Sequence, residues 1–194
     1  MNPAAAFTQA DQLFDRVVQH IREGQWHAPT PDEGWDVHHL VQHVAYEDLW
    51  LAELAAGKTI KEVGDKYEGN ILGDDAVAGW CRAHKAAQAA VSGPGDLERK
   101  VELSFGEVTF GEYLKQMAID HTIHAWDLAR AVGADEKFDT KLVEQTWEWF
   151  QPQAEGWRGA GLLGPAVEVD EAADLQTRLL ALSGRQSGKS KDKR

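Results

Sequence analysis

A chain of 194 residues with 43% hydrophobic and 27% charged positions has ordinary globular composition, and enough length to bury a core without disulfides or metal staples. Its formal charge of −12 at pH 7 argues against nucleic acid or anionic membrane as the main partner, because both repel an acidic surface. The single cysteine, Cys81, excludes an intramolecular disulfide and fits a reducing compartment.

Asn2-Pro3 reads as a helix start, cap then first-turn proline, leading into Phe7, Ala10, Leu13, Phe14, Val17, Val18 and Ile21 at helical spacing, with Gly24 closing the run. Charges within its first two turns, and the lack of a long apolar run, argue against a secretory signal or membrane span and point to the cytoplasm. "HAPTPDEGW" is a loop, and Asp36 then caps a second helix from Val37 to Ala56, with Leu40, Val44 and Leu51 inward and Gly57 at its end. A polar connection with one short helical turn leads to a third helix, Asp75 to Val91. There Val77, Trp80, Cys81, His84, Ala87 and Val91 keep the period, and Cys81 reads as a small core residue.

"KVELSFGEVTF" alternates Val101, Leu103 and Phe105 before Gly106, then Val108 and Phe110 after it, which predicts a small hairpin or extended crossover. Thr109 and Glu112 form a capping-box signature ahead of a fourth long helix that contains "KQMAIDHTIHAWDLARAVG". A further helix is expected from Thr140 to about Gln151, an extended stretch at "GLLGPAVEVD", and a last helix from Glu171 to Ser183 capped by Asp170. The sum is an all-α protein: an up-and-down four-helix bundle with accessory helices and a small hairpin. One domain is expected over 1–184, with a flexible basic tail over 185–194.

In the fourth helix Met117, Leu128 and Ala131 share a stripe with Asp120 and His124, two polar groups that need compensation if they face inward. Residues four apart share a helix face, so Asp120 and His124 can offer oxygen and nitrogen to one point. A third ligand should come from a facing helix. The second helix offers His43, one turn from Leu40 and from Glu47, with His39 one turn earlier as the alternative. Two histidines and a carboxylate leave coordination positions free for water or substrate, the mark of a catalytic rather than a closed structural site. An equally simple reading of the bare pair is a hydrogen bond between Asp120 and His124 with no metal.

Of the other histidines, His121 is spaced to replace Asp120 but points away from Met117 and Leu128. His84 reads as a satisfied core histidine, His20 and His27 as peripheral, and His38 as off the stripe. Asp127 and Arg130 read as a charge pair or as support behind a ligand, and Trp126, close to His124, as the tryptophan nearest a bound cofactor.

"GWDVHHLVQHV" resembles the second-helix motif of the metal-binding domain of the mycothiol-dependent maleylpyruvate isomerase family, in which the histidine after the leucine-valine step is a metal ligand. "DHTIHAWDLARAVGAD" is similar to that family's other ligand segment, an acidic residue ahead of a histidine and a Trp-Asp-Leu-Ala-Arg run. "LLALSGR" resembles its closing segment. The wider group is the DinB-like bundle of metalloenzymes. The resemblance implies metal ligands at His43, Asp120 and His124, favours His43 over His39, and puts Asp120 where the family's isomerase has Glu. It also implies a second, C-terminal domain in that isomerase, for which the present chain looks too short.

The activity implied is metal- and thiol-dependent transfer to, or isomerisation of, a small electrophile. Zinc is the first choice of metal, with nickel and iron as alternatives, and mycothiol or a similar low-molecular-weight thiol is the second cofactor. The partners implied are that thiol and a small-molecule electrophile, with no nucleic acid or membrane, and a homodimer formed through helix faces. The alternative is a non-catalytic protein of stress response or detoxification that binds a metal or small ligand. No catalytic residue beyond the metal ligands is assigned.

Overall fold

The computed structural model describes residues 2–93 and 95–187; most of the expected tail, 188–194, lies outside them. The backbone divides into two compact units, residues 1–136 and 137–194.

The first unit is built on four long helices: α1 (Pro3–Val18), α2 (Val37–Ala55), α4 (Ala76–Val91) and α5 (Phe110–Val132), with α3 (Ile60–Val63) a single turn between α2 and α4. Asn2, Asp36, Asp75 and Thr109 cap the four long helices through side-chain oxygens that accept backbone N–H groups; all but Asp75, which was expected as a helix residue, were expected in this role. The bundle expected from the apolar periodicity is present, with the large apolar side chains Phe7, Phe14, Leu40, Leu51, Trp80, Leu114, Ile119 and Leu128 fully buried.

Helix directions follow from cross-helix pairs. Asp15 bonds Trp80 while Asp11 bonds His84, so α1 and α4 are antiparallel. His43 meets His124 while Asp48 meets His121, so α2 and α5 are antiparallel. Gln25, just past α1, donates to the Val132 carbonyl at the end of α5, so those two helices finish together. The long crossover is therefore residues 56–75, which returns the chain to the end where α2 began. Its Leu72 lies against Gly79 in α4, where a Cβ would be 2.1 Å from the Leu72 carbonyl oxygen; only glycine fits.

β1 (Lys100–Leu103) and β2 (Gly106–Thr109) form the expected antiparallel hairpin, with Val101 opposite Val108, and deliver the chain straight into α5. Gly133 ends α5 in the left-handed region at φ 72°, where its N–H reaches the Ala129 carbonyl. Helix α1 stops earlier than the apolar run suggests. Val18 is its last residue, and His20 folds back so that its Nδ1 lies 2.6 Å from the Arg16 carbonyl oxygen.

The second unit holds α6 (Thr140–Phe150), α7 (Ala154–Gly159) and α8 (Leu175–Leu182). The last helix starts four residues later than expected. Asp170 caps a turn, accepting from Ala172, and Asp174 is the helix cap, accepting from Thr177. Both aspartates precede a plausible first turn, and only the second is followed by the apolar Leu175, Leu179 and Leu180. "GLLGPAVEVD" carries neither helix nor strand beyond the end of α7, while α7 itself is an element without an apolar period to announce it.

Candidate metal centre

His43 lies two turns inside α2, and the antiparallel pairing of α2 with α5 carries it to the face where Asp120 and His124 stand one turn apart. His124 Nε2 is 3.4 Å from Asp120 Oδ1, and His43 Nε2 is 3.7 Å from the same oxygen. Donor atoms of the three residues all lie within 4.8 Å of one another. The two imidazole rings meet edge to face at 5.1 Å. Side-chain exposures of 29% for His43 and 32% for Asp120, against 11% for His124, place the cluster on the flank of the bundle, where a ligand can reach it. The polar pair on the α5 stripe is thus compensated by its partner on α2 and by solvent.

The loop ahead of α2 closes one side. Trp35 packs against His43 at 5.0 Å and lies nearly parallel to His124 at 6.1 Å. Behind His124, its Nδ1 is 3.0 Å from Asp127 Oδ2 and 3.4 Å from Asp32 Oδ2. A carboxylate behind a histidine fixes the ring's orientation and leaves Nε2 facing the cluster, the arrangement that metal-ligating histidines have.

Charge dominates this face. Burial works against the imidazolium of His124, but Asp120, then Asp127 and Asp32, outweigh it and hold its proton affinity well above the ordinary histidine value. Burial would likewise raise Asp120, and His124 with His43 overcomes it, leaving that carboxyl well below the usual range. Glu47, one turn along α2 from His43, goes the other way: burial and then the charge of Asp120 push its carboxyl up. Asp120 Oδ2 has no hydrogen-bond partner among the described residues. Two imidazole nitrogens, one carboxylate with a spare buried oxygen and a carboxylate behind one histidine form a donor set that fits a divalent cation.

Of the alternatives left open by the sequence, His39 is 64% exposed and held by the Asp36 cap at 2.8 Å, away from the cluster. His121, expected to point away from Met117 and Leu128, shares their stripe instead, four residues from the one and seven from the other, and is fully buried and bonded to Asp48 of α2. His84 is partnered by Asp11, while His20 and His27 are peripheral. Asp127 stands behind His124, whereas Arg130 pairs with Glu136 and covers the Trp126 ring at 4.5 Å. The tryptophan against the two histidines is Trp35. Its place beside the helix cap was visible in the motif, but its role was not, because a loop has no period from which to read a facing direction. Cys81 is half-buried and accepts from Gln19 at 3.6 Å.

Fold and cluster together define a class, the helical bundle that gathers polar side chains from facing helices into one cluster. The family model of the mycothiol maleylpyruvate isomerase N-terminal domain matches residues 7–129, and the chain belongs to that family. Two uncharacterized proteins of Mycobacterium tuberculosis, MT0763 and Rv0738, are each 28% identical to it over 143 residues, covering 74% of this chain and 74% of their own.

Among solved structures, a crystal structure of the mycothiol-dependent maleylpyruvate isomerase has the same fold, with a TM-score of 0.71 at 18% identity over 95% of this chain and 89% of that one. A histidine-to-alanine mutant of it also matches with a TM-score of 0.71, at 17% identity. So little of the isomerase is left unmatched that the expectation of a chain too short for its second domain does not hold. Among the described residues no helix is long and apolar enough to cross a membrane.

Proposed function

We propose that this protein is a metal-dependent enzyme that adds a low-molecular-weight thiol, mycothiol by family, to a small electrophile. The observation that carries the reading is the convergence of His43, Asp120 and His124 from two helices, with Asp127 behind His124. A divalent cation held there, zinc before nickel or iron, would supply the Lewis acidity that keeps a thiol in its anionic form near neutral pH.

The chain's own residues do the rest. His43, Asp120 and His124 bind, Asp127 and Asp32 orient His124, and Trp35 walls the cluster on the loop side. Glu47 is the nearby carboxyl with raised proton affinity and is suited to exchange the thiol's proton. The nucleophile comes from outside, since the sole cysteine lies on α4 against Gln19. Addition breaks the thiol S–H bond and a π bond of the electrophile and forms a sulfur–carbon bond, and the proton passes to the atom at the other end of that π bond. Retention of the bond gives a conjugate; expulsion of the same thiol after rotation gives an isomer. The formal charge of −12 supports small-molecule partners over nucleic acid.

The test is metal content by elemental analysis, alongside thiol turnover with a panel of electrophiles. His43→Ala, Asp120→Ala and His124→Ala should each lower the content by one ion per chain and abolish turnover. Unchanged metal in all three variants overturns the site. Metal lost as expected, with no turnover by the wild type for any thiol and electrophile, leaves a binding protein in place of the enzyme.

A further inference from the structure

We infer that Asp11, Asp48 and His121 form a second cation site at the centre of the bundle, of a kind that takes a small divalent transition-metal ion. The three come from α1, α2 and α5, all are 0% exposed, and their donor atoms lie within 4.8 Å of one another. This cluster is separate from the one on the flank and does not depend on the function proposed for it.

What sets the cluster apart from an ordinary buried ion pair is what remains unpaired. Asp11 Oδ1 and Asp48 Oδ2 have no hydrogen-bond partner among the described residues, while the unpaired His121 Nδ1 faces Asp120 and not this cluster. Leaving a carboxylate oxygen dry and unpaired costs several kcal/mol, and two carboxylates share this interior. Other side chains orient the cluster from outside. His84 Nδ1 lies 2.8 Å from Asp11 Oδ2, and Gln88 donates to that same oxygen, so both supports hold one edge of the carboxylate and leave Oδ1 to ligate. This is the outer support that ligating carboxylates receive in metal sites.

His121 Nε2 lies 3.0 Å from Asp48 Oδ1. That separation suits a hydrogen bond. It equally suits two donors at right angles on one cation, where ligand bonds of about 2.1 Å put neighbouring atoms about 3.0 Å apart. A single positive ion held by Asp48 Oδ1 and His121 Nε2 would also take the bare Asp11 Oδ1 and balance both carboxylates at once. Two carboxylates with one imidazole and no sulfur select Mn²⁺, Fe²⁺ or Zn²⁺ over soft cations such as Cu⁺. Because His121 follows Asp120 on α5, the two clusters stand back to back, with His121 Nδ1 3.7 Å from Asp120 Oδ2.

Chelator-stripped full-length protein loaded with Mn²⁺ tests this, with bound ion counted after removal of excess. The wild type should hold two ions per chain, and a His43→Ala/His124→Ala variant, with the flank site removed, should keep one. Adding Asp48→Asn to that variant should release it. A His43→Ala/His124→Ala protein that is folded by circular dichroism and binds no Mn²⁺ overturns the proposal. Crystals of the wild type soaked in Mn²⁺ give a readout independent of variant folding. An anomalous peak between Asp11, Asp48 and His121 supports the site, and a peak at His43 and His124 alone overturns it.

Discussion

At His124 three carboxylates compete for one ring. Asp120 lies 3.4 Å from Nε2, while Asp127 and Asp32 lie 3.0 and 3.4 Å from Nδ1. Together they hold a proton on this histidine well above its ordinary value despite burial. A cation needs Nε2 bare, so binding must expel that proton. Metal affinity should therefore rise with pH, by roughly tenfold per unit while one proton is displaced, and fall as the solution is acidified. A competition titration at several pH values measures it, and a pH-independent affinity would count against His124 as a ligand. Asp127→Asn should keep the fold but weaken the hold on Nδ1, lowering affinity by about 10- to 100-fold in the same assay. The Asp120 and His124 pair was legible from residue spacing, because i and i+4 share a face, whereas His43 was preferred over His39 only through the family resemblance. Asp32 and Trp35 were not legible, since the loop that carries them gives no periodicity.

Helix α5 contributes more residues to the two clusters than any other element, with Asp120 and His124 in one, His121 in the other and Asp127 behind the first. Its cap, its hairpin approach and its end at Gly133 were all readable, as was the cap of α2, while Asp75 was read as the first residue of α4 and is its cap. Elements marked by both a capping residue and an apolar period were placed well; α8, where two aspartates offered caps, was placed four residues early. His121 was read as turned away from Met117 and Leu128, yet it stands four residues after the one and seven before the other, which puts all three on one helix stripe. Its partner Asp48 lies on α2, out of sight of a reading confined to one helix. Gly79 was passed over for a similar reason, since its meaning lies in the approach of Leu72. Gly79→Ala should destabilise the fold by about 1–3 kcal/mol, read as a lower urea midpoint, although alanine is the better helix former. A neutral or stabilising effect would mean that the crossover moves aside freely.

Across the whole molecule, acid stability offers a check on the crossover that joins α2 to α4. Glu53 is bound by Lys58, Lys66 and Tyr67, and these contacts hold its carboxyl down at about 2. A carboxyl whose folded value lies below its unfolded one stabilises the fold above the unfolded value. That contribution disappears as the pH falls from about 4.5 toward 2. The lysines are half-exposed, so the contribution is about 1 kcal/mol or less after solvent screening. Glu53→Gln should therefore lower the urea midpoint at pH 6 and match the wild type near pH 2; a deficit unchanged between the two would assign the loss to packing instead.

The amino-acid order by itself determined the four long helices and most of their caps, the hairpin, and the face on which Asp120 and His124 stand. Periodicity and capping are local, and one segment suffices to specify them. Tertiary structure alone decided which of α2's histidines meets that pair, that His121 turns inward to Asp48, and that Asp11 joins them from α1. Those facts depend on which helices pack together and in which direction, a choice set by the burial of all four apolar faces at once.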